Sequence, residues 1–310
     1  MSLFQQTIGS PIQIEGIGLH SGKKVKMEIF PAPPSTGIQF ISTQNFKKMK
    51  FRASVHHITK TMLSTTLGLG IKDNEQVHTV EHLLSALHGM EIDNVSIHLN
   101  DVEIPIMDGS ALPFVKLIVK AGTVKQNKER SFLRILKKIQ IEENGKSLSI
   151  LPYSGVKISY SINFNNPLIT QQDYTLNFSK HHFMNEIAPA RTFGFLNEVE
   201  ALQKRGLIQG GSLDNAVVVD QGGVVLNKEG LRFPNEFVRH KILDLIGDFS
   251  LLGHPIQGHI IAHCAGHTLH ARLMEKILQE KEAWELVEEQ PFISPVPSVL
   301  SASLSLSSHC

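Results

Sequence analysis

An α+β fold built of two duplicated halves, each with sheet and helices in packed layers, is what this sequence predicts. Two observations carry the expectation, a repeated tetrapeptide and a matched order of elements; a polar stretch between the copies places the seam. Ile-Gln-Ile-Glu occurs at Ile12–Glu15 and again at Ile139–Glu142, each copy followed by a Gly-Lys pair, Gly22-Lys23 and Gly145-Lys146. Each then runs into an apolar strand pattern ending in proline, Met27–Pro31 and Leu148–Pro152. A further strand follows in each half, Gly37–Phe40 and Ile158–Phe164.

The later parts of the halves correspond as well. Thr79–Gly89 and Asn235–Gly253 carry apolar residues three and four apart, the period of a helix. A strand pattern follows each, Asn94–Leu99 and Gly258–His263, and each half closes with a helix, Ala111–Lys120 and Leu269–Glu280. Thr123–Arg130 is polar and lacks apolar periodicity, which marks it as the linker. The chain therefore divides into a domain over residues 1–122, a linker over 123–130, a second domain over 131–285, and a Pro- and Ser-rich tail over 286–310 expected to be poorly ordered.

A chain of 310 residues suits two domains of about 100–150 residues. The net charge of +1 gives no global field to attract nucleic acid or an anionic membrane, so any anionic ligand must be held by a local cluster. Two cysteines, Cys264 and Cys310, are not a disulfide framework. The N-terminus has no basic region followed by an apolar run, and no stretch approaches the ~18–20 apolar residues of a membrane span. A monomer kept in the cytoplasm, with no nucleic-acid partner and no membrane span, is expected.

The chemistry-bearing residues lie on the two corresponding helices. His240 and Asp244 are four apart, so their side chains stack on one helix face, and Asp248 continues the stripe. An imidazole and a carboxylate so placed can bind one Zn²⁺. An isolated H-x-x-x-D is more often a simple hydrogen bond within a helix. In the first half, Glu81 and His82 are adjacent and point about 100° apart, so that His82 can bind a metal while Glu81 stands beside it. His78-x-x-Glu81-His82 also fits H-x-x-E-H, the inverzincin peptidase pattern, with His78 and His82 as ligands. The duplication favours the first arrangement. Halves packed face to face bring His82 to His240 and Asp244, giving three protein ligands and an open fourth position, the pattern of a catalytic zinc.

Eight ordered segments resemble the UDP-3-O-acyl-N-acetylglucosamine deacetylase family: GIGLHSG, TMLSTTL, TVEHLLSALHG, EIPIMDGSALPF, ARTFGF, GLIQGGSLDNAVVVD, LRFPNEFVRHKILDLIGDF and the Gly266-His267 pair. The similarity covers about residues 5–280. It implies two sandwich domains with the active site between them and the metal ligands His82, His240 and Asp244. It implies Glu81 as general base, His267 as general acid or electrostatic stabiliser, Thr192 as oxyanion donor and Asp248 as the group that orients and charges His267. Lys241 (on the nucleotide–sugar side) and Phe193 are implied as substrate contacts. Leu63 and Gly211, in two of the matched segments, are assigned with them. Phe193–Asp220 corresponds to an insert that forms an apolar passage for an acyl chain.

The activity so implied is zinc-dependent hydrolysis of the N-acetyl group of a UDP-sugar carrying a fatty acyl chain, with one ion per chain and ferrous iron as the alternative metal. Two other readings compete: an inverzincin-type peptidase using His78, and a sugar-nucleotide binder without catalysis. Residues outside the proposed chemistry are read structurally: Asp108-Gly109-Ser110 as a turn and cap before a helix, and His20 as a turn residue or one lining the cleft.

Overall fold

The computed structural model describes residues 2–42, 49–70, 72 and 75–288. The first part contains β1 (Phe4–Ile8), β2 (Ile12–Ile17), β3 (Lys24–Pro31), β4 (Ile38–Ser42), β5 (Lys50–Arg52), β6 (Ile58–Lys60), β7 (Thr66–Gly68) and β8 (Gln76–Val77). Helix α1 (Glu81–Gly89), β9 (Val95–Leu99), α2 (Leu112–Ala121) and β10 (Thr123–Glu129) follow. The second part runs through β11 (Ser131–Ile135), β12 (Ile139–Glu143), β13 (Lys146–Leu151), β14 (Val156–Asn163) and β15 (Gln171–Asn177). It continues with the single turn α3 (Lys180–His182), β16 (Phe193–Phe195), α4 (Leu196–Lys204) and β17 (Val217–Val219), and ends with α5 (Glu236–Phe249), β18 (Ile256–His263), α6 (His267–Gln279) and β19 (Trp284–Glu288).

The result is a mixed α+β structure with several sheets, two of them built alike. In the first, β2 pairs antiparallel with β3, β3 antiparallel with β9, β9 parallel with β4, and β4 antiparallel with β5. In the second, β12 pairs antiparallel with β13, β13 antiparallel with β18, β18 parallel with β14, and β14 antiparallel with β15. Order and direction match strand for strand. The repeated tetrapeptides are β2 and the start of β12, where alternation sets the faces: Ile12 and Ile14 are buried while Gln13 and Glu15 are exposed. The second sheet is extended by β11, parallel to β18 over Leu133–Arg134, and by β19, antiparallel to β11.

Buried apolar side chains form one continuous cluster that includes Ile12, Met27 and Ile97 of the first sheet, Leu83 and Leu87 of α1, Leu243 and Leu245 of α5, and Ile150, Ile158 and Ile260 of the second sheet. Helix α5 is buried on nearly every side because α1 packs against it where an isolated half would meet water. The close approach is made by Gly247, at which a Cβ would stand 2.1 Å from the carbonyl oxygen of Glu81.

Two expectations need correction. The stretch read as a linker without periodicity is mostly strand β10, antiparallel to β1. Its polar composition has a physical reason: all its residues but Gln126 are exposed, so no buried face imposes alternation. Arg130, just beyond it, is buried and pairs through Nε with Asp93 at 2.9 Å. At the other end, the tail was expected to begin at 286. Residues 286–288 instead belong to β19, where Leu286 pairs with Leu133. Residues from 289 on, Cys310 included, lie outside the described residues.

The glycine at the helix contact gives a direct test. At an exposed helix position Gly→Ala stabilises by about 1 kcal/mol. Gly247→Ala is expected instead to destabilise by about 1–3 kcal/mol, because the new methyl has no room against the Glu81 backbone. Denaturant unfolding measures the change, and a variant at least as stable as the parent would contradict this packing.

Candidate active site

On α5, His240, Asp244 and Asp248 sit one turn apart on one face, and all three are buried. Helix α1 begins at Glu81 and crosses α5 with its first turn, so His82 reaches the same place. The rings of His82 and His240 meet edge to face with centroids 5.0 Å apart. His82 Nε2 lies 3.6 Å from Asp244 Oδ1, and His240 Nε2 lies 3.2 Å from the same oxygen. Asp244 is anchored through its other oxygen, which accepts a 2.8 Å hydrogen bond from Lys241 Nζ.

This donor set fits a divalent cation. His240 Nδ1 donates to the carbonyl of Ala190 at 3.1 Å, which leaves Nε2 with its lone pair. Burial pushes the His240 imidazole down to about 3 in spite of Asp244, so the ring is neutral. A neutral imidazole lone pair and a carboxylate oxygen then face each other across 3.2 Å in a dry interior. Among the described residues, Asp244 Oδ1 and His82 Nδ1 are buried with no hydrogen-bond partner. A cation relieves that opposition at Oδ1, and the spacing suits one: ligand arms of ~2.0–2.2 Å give tetrahedral edges of roughly 3.3–3.6 Å.

Beside this trio lies a second cluster. Asp248 Oδ2 accepts from both His267 Nδ1 and His270 Nδ1, each at 2.7 Å, while Oδ1 accepts from the Thr65 hydroxyl at 2.6 Å. His267 stands at the start of α6 and turns Nε2 toward Glu81 Oε1 at 3.8 Å. Glu81 Oε2 accepts from the Thr65 main-chain N–H at 3.1 Å. Burial would lower His267, but the Asp248 carboxylate pushes it up to about 9, and Glu81 adds to this. Burial would raise Asp248, yet His267 and His270 hold it at about 2. Glu81 is raised above the ordinary carboxylate value, chiefly by burial, with His267 and His82 opposing. The site thus sets a carboxylate of raised pKa beside a cationic imidazole and a trio of side chains able to hold a metal.

The segment bearing Thr192 and Phe193 is fixed to α5 by the buried Arg191, whose guanidinium binds Glu236 at 2.8 Å and Glu229 at 2.7 Å. Thr192 is half-buried in a loop position, its N–H on Gly109 O and its carbonyl accepting from Val217 N, both at 2.8 Å. Phe193 packs on Phe237 at 4.9 Å and stands 6.3 Å from the His240 ring, with Lys241 Nζ 5.8 Å from its centroid. Lys241 was expected on the nucleotide–sugar side; its ammonium is bonded to Asp244. Leu63 is exposed, with a left-handed φ of 67°, two residues before Thr65. Gly211 follows a contact in which Gln209 N and Gly210 N donate to the carbonyls of His20 and Leu19 at 3.1 and 2.9 Å. The 193–220 segment is thereby seated on the turn between β2 and β3. Within it, α4 links the parallel pair β16 and β17, and its apolar stripe is half-buried rather than core.

His78 precedes α1 rather than lying on it, and its Nδ1 meets the Thr66 hydroxyl at 3.0 Å. It belongs to neither group of metal-capable side chains found among the described residues. The two histidines of H-x-x-E-H are therefore not on one helix face. Of the turn and cap expected at Asp108-Gly109-Ser110 only the turn is present, with Asp108 accepting from Ser110 N at 3.0 Å; the residue before α2 is Ala111, whose side chain caps nothing. Two residues of the site were missed, Thr65 and His270. His267-x-x-His270 spacing on a helix was a usable signal for the second; nothing in the sequence singled out Thr65 from its neighbours.

A profile of the UDP-3-O-acyl N-acetylglycosamine deacetylase family matches residues 5–279. A UDP-3-O-acyl-N-acetylglucosamine deacetylase of Acidithiobacillus ferrooxidans is 47% identical over 286 residues, covering 92% of this chain and 93% of the relative. Proteins of the same name from Coxiella burnetii and Chromobacterium violaceum are 46% and 44% identical, covering 91% and 94% of this chain and 93% and 96% of theirs.

The His267–Asp248 pair makes stability depend on pH in a defined direction. His267 is raised from 6.5 to about 9, so its contribution is complete below about 6.5 and is lost as pH rises through 9. Asp248 is lowered from 3.8 to about 2, so its contribution is complete above about 3.8 and is lost as pH falls through 2. The melting-temperature advantage of the parent over Asp248→Asn is expected to be widest between about pH 4 and 6.5 and to shrink on approaching pH 9–10. A difference that stays flat across that range would refute the pair.

Proposed function

This chain belongs to the UDP-3-O-acyl N-acetylglycosamine deacetylase family, and from that premise we propose that His82, His240 and Asp244 hold its catalytic zinc and that Glu81 and His267 carry its proton transfers. The enzyme is a metal-dependent amidohydrolase that removes the N-acetyl group of UDP-3-O-acyl-N-acetylglucosamine, releasing acetate and a free amine. The single observation that supports the ligand assignment best is Asp244 Oδ1, buried without a hydrogen bond among the described residues and faced by two imidazole nitrogens.

When bound, the zinc (or ferrous iron, one ion per chain) supplies Lewis acidity to the amide carbonyl and acidifies water in the site. Glu81 accepts the proton of the attacking water at Oε1, since Oε2 is held by the Thr65 N–H. Its raised pKa, due first to burial, brings it nearer the working pH. His267 is cationic and presents Nε2–H to the developing oxyanion, with the Thr192 hydroxyl as a further donor. Asp248 keeps His267 charged and fixes the ring through Nδ1. The leaving amine then takes a proton from His267 Nε2 or from Glu81.

Further parts of the reading rest on the same premise. The strand-for-strand match of the two sheets supports two duplicated sandwich domains packed face to face, with the site at the α1–α5 contact. The 193–220 segment forms the acyl passage, Phe193 and Leu63 contribute apolar contacts, and Lys241 and Gly211 border the sugar nucleotide. No helix of the described residues is long and apolar enough to cross a membrane, and we take the enzyme as a cytoplasmic monomer. A peptidase built on His78 has no support in the position of that residue, and the paired acid and base argue against a mere binder.

Zinc content and amine release, measured together, test the assignment. Glu81→Ala is expected to keep one metal per chain and to lose about 10²–10⁴-fold in kcat. Asp244→Ala is expected to lose the metal, and His78→Ala to keep it. Full activity in Glu81→Ala, or metal loss in His78→Ala alone, would overturn the assignment.

A further inference from the structure

We infer that Thr65 is a positioning residue for the deacetylation, a single side chain and its own peptide N–H that lock the Glu81 carboxylate and the Asp248–His267 pair in register. Thr65 lies in the segment between β6 and β7 and is buried. Its groups are spent on the site. The N–H donates to Glu81 Oε2 at 3.1 Å, and this is the one hydrogen bond Glu81 accepts among the described residues. The hydroxyl donates to Asp248 Oδ1 at 2.6 Å and stands 3.1 Å from His267 Nδ1. The carbonyl accepts from Val80 N at 3.2 Å, tying the segment to the residue before α1.

These bonds add a shared anchor to groups that come from three different helices. Glu81 comes from the first turn of α1, Asp248 from α5 and His267 from α6. A carboxylate held only at Oδ2, where both histidines bind, can pivot about that edge and carry the His267 ring with it. The Thr65 hydroxyl on Oδ1 removes the pivot. It therefore sets the 3.8 Å approach of His267 Nε2 to Glu81 Oε1, the gap in which the reacting amide and water must be served from both sides. Because the hydroxyl touches neither the ligand trio nor the 193–220 segment, its loss is expected to reach turnover rather than metal or substrate binding. Groups that orient a reacting residue in this way change activity about 10–100-fold when removed.

The inference rests on the roles proposed for Glu81 and His267, and the test separates the two. Thr65→Val deletes the hydroxyl at constant shape and keeps the N–H; Thr65→Ser keeps both. Measured on the zinc-loaded full chain, Thr65→Val is expected to lose about 10–100-fold in kcat with KM within about twofold and metal content unchanged. Thr65→Ser is expected to restore kcat to within a few-fold. Should Thr65→Val not fold, Thr65→Cys, close to serine in size and a weak donor, is expected to show the same kcat loss. Parent-like kcat in Thr65→Val or Thr65→Cys overturns the inference, as does a Thr65→Ser variant as slow as Thr65→Val. The parent and Glu81→Ala are assayed alongside: an inactive parent or a fully active Glu81→Ala strikes at the proposed roles, and neither depends on position 65.

Discussion

One oxygen atom constrains the centre of this protein. Asp244 Oδ1 is buried, receives no hydrogen bond among the described residues and is approached by the Nε2 atoms of His82 and His240 at 3.6 and 3.2 Å. A carboxylate oxygen in a dry interior needs positive charge or a donor. Lys241 serves only the other oxygen, and the His240 tautomer is fixed by Ala190 so that a lone pair points inward. Three electron-rich atoms converge on one point, and a divalent cation would satisfy all three at once. The folding problem is to bring them there from two sheets that the chain builds separately, and the α1–α5 contact does so. Gly247 lets the helices approach closely enough for the first turn of α1 to deliver His82.

Around that point the protein holds its ionisable groups far apart in proton affinity. Glu81 is raised, chiefly by burial, and its carboxylate receives one hydrogen bond among the described residues, whereas that of Asp248 accepts three and is held at about 2. His240 and His267, two imidazoles of one small region, end at about 3 and about 9. The difference lies in their partners. His240 Nδ1 faces a neutral carbonyl, whereas His267 Nδ1 faces an ionised carboxylate. Carboxylates and imidazoles with opposite environments are how a site keeps a base and an acid ready at the same pH. The second histidine on Asp248, His270, is fully buried and lowered by burial, so it supplies a neutral donor without competing for the positive charge.

Much of this was legible in the sequence because it follows from short spacings. Residues four apart on a helix must share a face, so His240, Asp244 and Asp248 were bound to line up. The matched order of elements paired the two helices, and the repeated tetrapeptides lie in strands at the same place in the two sheets. What was not legible depends on contacts between distant segments. The 123–129 stretch carries no buried face, so its pairing with β1 leaves no pattern to read. The α4 stripe has helical period, but period alone does not distinguish a core face from a half-buried one. Thr65 meets Asp248 across 183 residues, and a threonine among several in one segment gives no hint of such a bond.

Anomalous diffraction from crystals of the zinc-loaded protein, collected at the zinc edge, tests the central claim most directly. The account predicts one strong peak within about 2.0–2.2 Å of His82 Nε2, His240 Nε2 and Asp244 Oδ1. A principal peak elsewhere, at His78 or on the Asp248–His267–His270 cluster, with none at the trio, would contradict it.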